Sequence, residues 1–176
     1  MHLVRKIPRW LRLLAGALVV VVVLVGVFLL FALQSRAAPE QPVAFNHQIM
    51  VGAGIPCLGC HSTAVKGPSA GIPSVEWCMG CHQTIAVDLP EVQKLAVYWE
   101  RQEPIPWVRI YRLPRFTFFT HQVHVSAGLN CENCHGDVGN METTQAVTVM
   151  NMGWCLGCHG KQPNATELKD CVICHR

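Results

Sequence analysis

The pentapeptide Cys57-Leu58-Gly59-Cys60-His61 returns in kind at Cys78 to His82, Cys131 to His135, Cys155 to His159 and Cys171 to His175. Each copy reads C-x-x-C-H, the attachment pattern of c-type haem. Two thiols form thioethers with the vinyl groups, and the adjoining histidine binds the iron. All ten cysteines of the chain fall in these five motifs. The attachment residues are therefore Cys57, Cys60, Cys78, Cys81, Cys131, Cys134, Cys155, Cys158, Cys171 and Cys174, and the iron ligands beside them His61, His82, His135, His159 and His175. Zinc sites combine two C-x-x-C units about one ion, and five units leave one stranded. A thioredoxin-like motif occurs once, near a βαβ pattern, and needs no histidine after its second cysteine. Disulfide scaffolds have no use for histidine there. The expected cofactors are five covalently bound haem c groups.

Five irons ask for five further axial ligands. Outside the motifs the chain holds only His2, His47, His121 and His124. His2 precedes a membrane segment and falls on the wrong side of it. At most three haems can therefore be bis-histidine without help from another chain. The other two take methionine, a weaker donor, or stay open.

The elements that must position these residues are sparse. Residues 41 to 176 number 136, which leaves roughly 27 residues per haem, too few for an ordinary side-chain core. The porphyrins must themselves form the core, within a wrapping of irregular chain and short helices. Residues 1–12 form a basic tail with Arg5, Lys6, Arg9 and Arg12. Residues 13–33, Leu13 to Leu33, are uncharged and mostly aliphatic. Twenty-one residues at about 1.5 Å each span about 31 Å, the thickness of a hydrocarbon core. The basic tail places the N-terminus in the cytoplasm and the remainder on the periplasmic, outer face. The run exceeds the about 7–15 residues of a signal-peptide core, so it reads as a single-pass anchor in the cytoplasmic membrane. Ser35-Arg36-Ala37 offers a competing cleavage pattern. Past the tail, ten basic and eleven acidic residues leave a formal charge of −1, without a basic, aromatic-laced patch for nucleic acid.

Residues 34–44 form a polar linker with two prolines. A first haem unit, 45–102, then holds two motifs, and a second, 119–176, holds three. The units are copies: FNHQIMVGAGIPCLGCH (45–61) and FTHQVHVSAGLNCENCH (119–135) share nine of seventeen residues without a gap, and WCMGCH (77–82) matches WCLGCH (154–159) in five of six. Between them, Pro90 to Arg101 sets Val92, Leu95, Ala96 and Trp99 at helical spacing, with Pro90 suited to a first turn. The bridge 103–118 contains EPIPWVRIYRLPRF, whose three prolines predict an extended course.

His121-x-x-His124, followed by Cys131 and then by motifs at 155 and 171, resembles the trihaem cytochrome c7 and tetrahaem cytochrome c3 families. The resemblance implies a c7/c3-like fold in which His121 caps the haem of His135 and His124 that of His159. Where the c7 family offers a histidine for the last haem, this chain reads Val149-Met150-Asn151-Met152, so Met150 or Met152 is expected on the haem of His175. The internal repeat then assigns His47 to the haem of His61 and Met50, opposite His124, to that of His82. Three bis-histidine and two histidine–methionine haems close the count.

One anchor, two plus three haems, the EPIPWVRIYRLP bridge and the FTHQVH start together resemble the pentahaem cytochrome subunit family of bacterial alternative complex III. That resemblance implies a non-catalytic electron-transfer subunit of a quinol:electron-acceptor oxidoreductase. Its implied partners are polytopic quinol-oxidising subunits, an iron–sulfur subunit and a monohaem cytochrome c, with a soluble carrier or terminal oxidase as acceptor. Three alternatives stand beside it. An anchored multihaem quinol dehydrogenase would show an open or unusual ligand near the membrane. A multihaem reductase would need an open high-spin iron, and a free periplasmic electron store would purify alone. Methionine ligation raises a haem potential relative to bis-histidine ligation. Met50→His is therefore expected to lower one of the five midpoint potentials in a redox titration, and an unchanged titration would remove Met50 from the ligand set.

Overall fold

The computed structural model describes residues 8–34 and 38–175, so His2, Arg5, Lys6 and the Ser35-Arg36-Ala37 pattern lie outside the described residues. The chain divides into two compact units, 1–37 and 38–176, the second of which is called the head below. In the first unit a single helix, α1, runs Arg9–Gln34, and its segment Arg9–Leu30 is long and apolar enough to cross a bilayer. Its aliphatic side chains from Leu13 to Leu30 are exposed throughout, as a helix solvated by lipid requires.

The head is built from short helices joined by irregular chain. Among its described residues there is no strand, only an isolated antiparallel bridge between Thr117 and His175. Helix α2 (His47–Gly52) precedes α3 (Cys57–Cys60) and a 3-10 turn at Ser62–Val65. Helices α4 (Val75–His82) and α5 (Pro90–Glu100) follow. The second copy begins with α6 (His121–Ser126) and α7 (Glu132–His135), then a 3-10 turn at Val138–Asn140. Helices α8 (Met152–His159), α9 (Ala165–Leu168) and α10 (Cys171–Cys174) end it.

Local sequence explains most of these bounds. Asn46 caps α2 by accepting from the Ile49 N–H, Asn151 caps α8 through Trp154 and Asp170 caps α10 through Val172. Pro90 opens α5 at its first turn, where its missing N–H costs nothing. Helices α2 and α6 stop alike: Gly54 (φ +86°) and Gly128 (φ +82°) take the left-handed conformation just beyond the last turn.

The only side-chain core among the described residues sits where α4 crosses α5. Val43, Val75, Met79, Leu95 and Ile105 are buried there, with Ala96, Tyr98, Trp99 and Trp107 packed around them. Two further buried side chains, Ala64 and Val92, complete the buried apolar set among the described residues, none of which is wholly enclosed. So small a core cannot order the whole head.

What joins the two copies is an exchange. Helix α2 packs against the 3-10 turn after the second copy's first motif, and α6 packs against the matching turn of the first copy. Backbone bonds pin both contacts: Gln48 N–H to the Met141 carbonyl at 3.2 Å, and Gln122 N–H to the Gly67 carbonyl at 3.1 Å. Two-motif and three-motif segments thus pack as one body. The bridge runs along this body. It starts in the core at Ile105, exchanges two hydrogen bonds between Val108 and the Gln41 side chain at 2.8 and 2.9 Å, and ends where Phe118 N–H meets the Cys174 carbonyl at 2.6 Å.

Leu95→Ala should remove about 3 kcal/mol from the head by leaving a cavity in its one side-chain core. Thermal unfolding of the detergent-solubilised protein, followed by circular dichroism, is expected to show a clear fall in Tm for this variant. Val97→Ala, on the exposed face of the same helix, should leave Tm nearly unchanged.

Candidate metal centre

Three of the histidines outside the motifs, His47, His121 and His124, each face a motif histidine. The His47 and His61 rings stand 6.5 Å apart between centres at 15° between planes. His121 and His135 stand 6.2 Å apart at 8°, and His124 and His159 stand 6.1 Å apart at 23°. Two imidazoles on opposite sides of one metal, with bonds of about 2.0–2.1 Å and roughly 1.1 Å from nitrogen to ring centre, lie about 6.3 Å apart. All three separations fall at that value.

The remaining ring nitrogens are tied up in a consistent way. Nδ1 of His61 donates to the Gly71 carbonyl at 2.6 Å, that of His82 to Ile85 at 3.1 Å and that of His121 to Pro68 at 2.8 Å. His124 Nδ1 uses the Thr120 carbonyl at 2.8 Å and His159 Nδ1 the Leu168 carbonyl at 3.0 Å. A carbonyl only accepts, so these contacts put the proton on Nδ1 and leave Nε2 with its lone pair free for a metal. His47 Nδ1 lies 2.7 Å from the Thr144 hydroxyl. Burial, and then the neighbouring His61, hold the His47 imidazole below its ordinary pKa. Burial does the same for His135, with His121 and His61 adding to it.

Aromatic edges steady the same rings. Phe45 meets His47 at 4.8 Å and Phe119 meets His121 at 4.9 Å, both nearly perpendicular, so the repeat carries over to geometry. Tyr111 of the bridge meets His135 edge-on at 5.0 Å while its hydroxyl accepts from the Val147 N–H. Phe116 lies 5.7 Å from His175 at 26°. These contacts with Tyr111 and Phe116 are partners that spacing in the sequence did not reveal, because they join residues far apart in the chain.

The methionines take three different settings. Met50 is half-buried on α2, three residues after His47, as His124 is three after His121 on α6. Met150 is half-buried in the turn before α8, whereas Met152 is largely exposed at its first position. Met79 is buried in the core and lines an open groove with His82, Val92, Ala96 and Trp99.

None of the ten cysteines is paired in a disulfide. Burial pushes the Cys78 thiol up and nearby Cys60 adds to it; for Cys131 burial is again first and Cys57, within hydrogen-bond reach, second. Cys134 is raised by burial and then by Cys158 and Cys155, and Cys155 by burial and then by Cys174. Neighbours therefore link the motif of His82 to that of His61, then His135, His159 and His175. The donor set fits haem c: thiol pairs for attachment, and imidazole pairs whose ring centres are separated as two ligands of one metal would be.

Residues 117–176 match the protein family described as cytochrome c7 and related cytochrome c. Along most of its length the chain is also similar to the menaquinone reductase multihaem cytochrome c subunit of Nitratidesulfovibrio vulgaris. The two are 28% identical over 162 residues, which cover 78% of this chain and 77% of the relative. The family match covers the last third of the chain, and together with the repeated C-x-x-C-H motifs these are similarities to multihaem c-type cytochromes.

Gly71 combines two constraints: its φ is +69°, and a Cβ there would lie 2.6 Å from the Thr63 hydroxyl. Its carbonyl also anchors His61. Gly71→Ala is expected to cost about 1–2 kcal/mol of stability. Intact-mass analysis of the purified protein should also show a smaller share of molecules carrying the full haem complement.

Proposed function

We propose that the chain is a membrane-anchored pentahaem electron-transfer subunit of a quinone-linked complex. The observation that carries this reading is the set of three imidazole pairs spaced for one metal each, on a chain with five C-x-x-C-H motifs. Haem, when bound, supplies a one-electron ferric/ferrous couple; the polypeptide decides where each couple sits and how it is tuned. His47 and His61, His121 and His135, and His124 and His159 would hold three irons between paired imidazoles. Met50 would complete the site of His82, and Met150 or Met152 that of His175. Of the last two, Met150 is the better enclosed.

The neighbouring thiols support a linear order of sites from His82 through His61, His135 and His159 to His175. The bridge supports the same order, since it passes from Ile105 near Met79, by Tyr111 at His135, to Phe116 at His175. The two methionine-ligated sites then fall at the ends and the three bis-histidine sites between them. An ordered series of closed sites suits conduction and not chemistry on a substrate.

The finer reading is the alternative complex III type. There, neighbouring polytopic subunits oxidise quinol, and this subunit passes the electrons, with an iron–sulfur subunit and a monohaem cytochrome c in the same assembly, towards a periplasmic carrier or oxidase. A second reading takes its support from the relative, a subunit named for menaquinone reduction, and reverses the flow into the quinone. Gentle detergent purification through this chain tests the first claim. Co-elution of polytopic, iron–sulfur and monohaem subunits with the haem absorbance is the expected result; elution of the chain alone would overturn it. Rapid mixing with a reduced quinol analogue then separates the directions. Haem reduction by quinol supports the oxidising complex, and reduction only by a reduced periplasmic carrier supports the reverse. Cys78→Ala with Cys81→Ala should lower the haem mass count by one and slow electron passage at least tenfold by removing one end of the series.

A further inference from the structure

The two halves of the repeat offer an internal comparison. His47 and His121 hold equivalent places, each in the first turn of a six-residue helix, each with a phenylalanine edge at nearly the same distance and angle. Each faces its motif histidine with the two rings nearly parallel. They differ in what holds Nδ1. For His121 it is the Pro68 backbone carbonyl; for His47 it is the Thr144 side-chain hydroxyl, 97 residues away. His61, His82, His124 and His159 also use backbone carbonyls. The difference is built into the sequence: Thr144 falls opposite Ala70 in the repeat, and Pro68 falls opposite Glu142.

An amide carbonyl is a stronger acceptor than a hydroxyl. The stronger the acceptor on Nδ1–H, the more imidazolate character the ring takes on and the more charge Nε2 gives to a metal. More donation favours the ferric state and lowers the potential. We propose that Thr144 is a positioning residue that sets the electron donation of His47, so that the His47/His61 site has a higher potential than its repeat counterpart at His121/His135. This rests on the reading of His47 as an iron ligand. The second half of the chain would in this way tune a site in the first, through one hydroxyl.

The test uses the full-length holoprotein in detergent, with spectroscopic redox titration and intact-mass counting of haems. Thr144→Val removes the acceptor and should raise one of the five midpoint potentials. Thr144→Asp offers a carboxylate acceptor and should lower that same potential, while Thr144→Ser should restore the parent value. The expected size is about a tenfold change in the ferric/ferrous equilibrium, or about 59 mV for one electron. Electron paramagnetic resonance of the oxidised protein should show the change confined to one low-spin haem. A purely structural role would move both variants in one direction, or neither, and either result overturns the proposal. Should the aspartate variant not load all five haems, an unchanged or lowered potential in Thr144→Val overturns it alone. His47→Met separates this failure from failure of the underlying reading. That change must raise one potential if His47 is a ligand; if it does not, the ligand assignment falls and the tuning with it, whereas a raised potential beside an unmoved Thr144→Val overturns the tuning alone.

Discussion

An imidazole can give only one nitrogen to a metal, and the other must find an acceptor or lose the ring's orientation. Nearly every local feature of the head answers that requirement. The turn after Cys60 bends until the Gly71 carbonyl meets His61, and the chain after Cys158 loops until Leu168 meets His159. Helix α6 is short, yet its N-terminal cap residue supplies the carbonyl that His124 needs. Loops that otherwise look irregular are thus specified by the acceptor each must deliver. Freeing one nitrogen of each ring for iron is the constraint, and backbone direction is what satisfies it.

This explains how the head is ordered with so little interior of its own. Five residues form its one apolar cluster, between α4 and α5, and elsewhere large side chains such as Phe116, Val123 and Val149 remain exposed. Burial on that scale offsets only a small part of the entropy of fixing the chain. On the proposed ligation the rest would come from covalent attachment and axial bonds, the same solution small domains reach with disulfides or zinc. The head resembles a frame whose members meet at metal positions.

Much of this was legible in the sequence because the chemistry is local. The five motifs, the repeat and the amphipathic Pro90–Glu100 helix depend on spacings of four to seventeen residues, and the pairing of His47 with His61 follows from the repeat. The helix that carries the apolar run 13–33 extends beyond it, from Arg9 to Gln34, since arginine is a good helix former and continues the backbone past the apolar boundary. Not legible was the exchange between copies. A periodicity argument sees two similar segments in succession; it cannot see that α2 rests on the turn of the other copy and α6 on the turn of the first. The aromatic partners of His135 and His175 were hidden for the same reason. Tyr111 and Phe116 sit in a proline-rich stretch whose pattern specifies only that it is extended.

The crossing of the two halves has a consequence in time. A polypeptide emerges N-terminus first, so the motif at Cys57 and its facing His47 are exposed long before the turn at Val138–Asn140 that α2 packs against, or the hydroxyl of Thr144. The first haem site to appear is therefore among the last to be finished. Until the second half arrives, His47 sits on a single-turn-scale helix with no tertiary support, too short to persist by itself. On the proposed ligation, haem attachment through the thiols would precede completion of the iron's coordination, leaving the earliest site tethered but open on one side until the second half of the chain arrives.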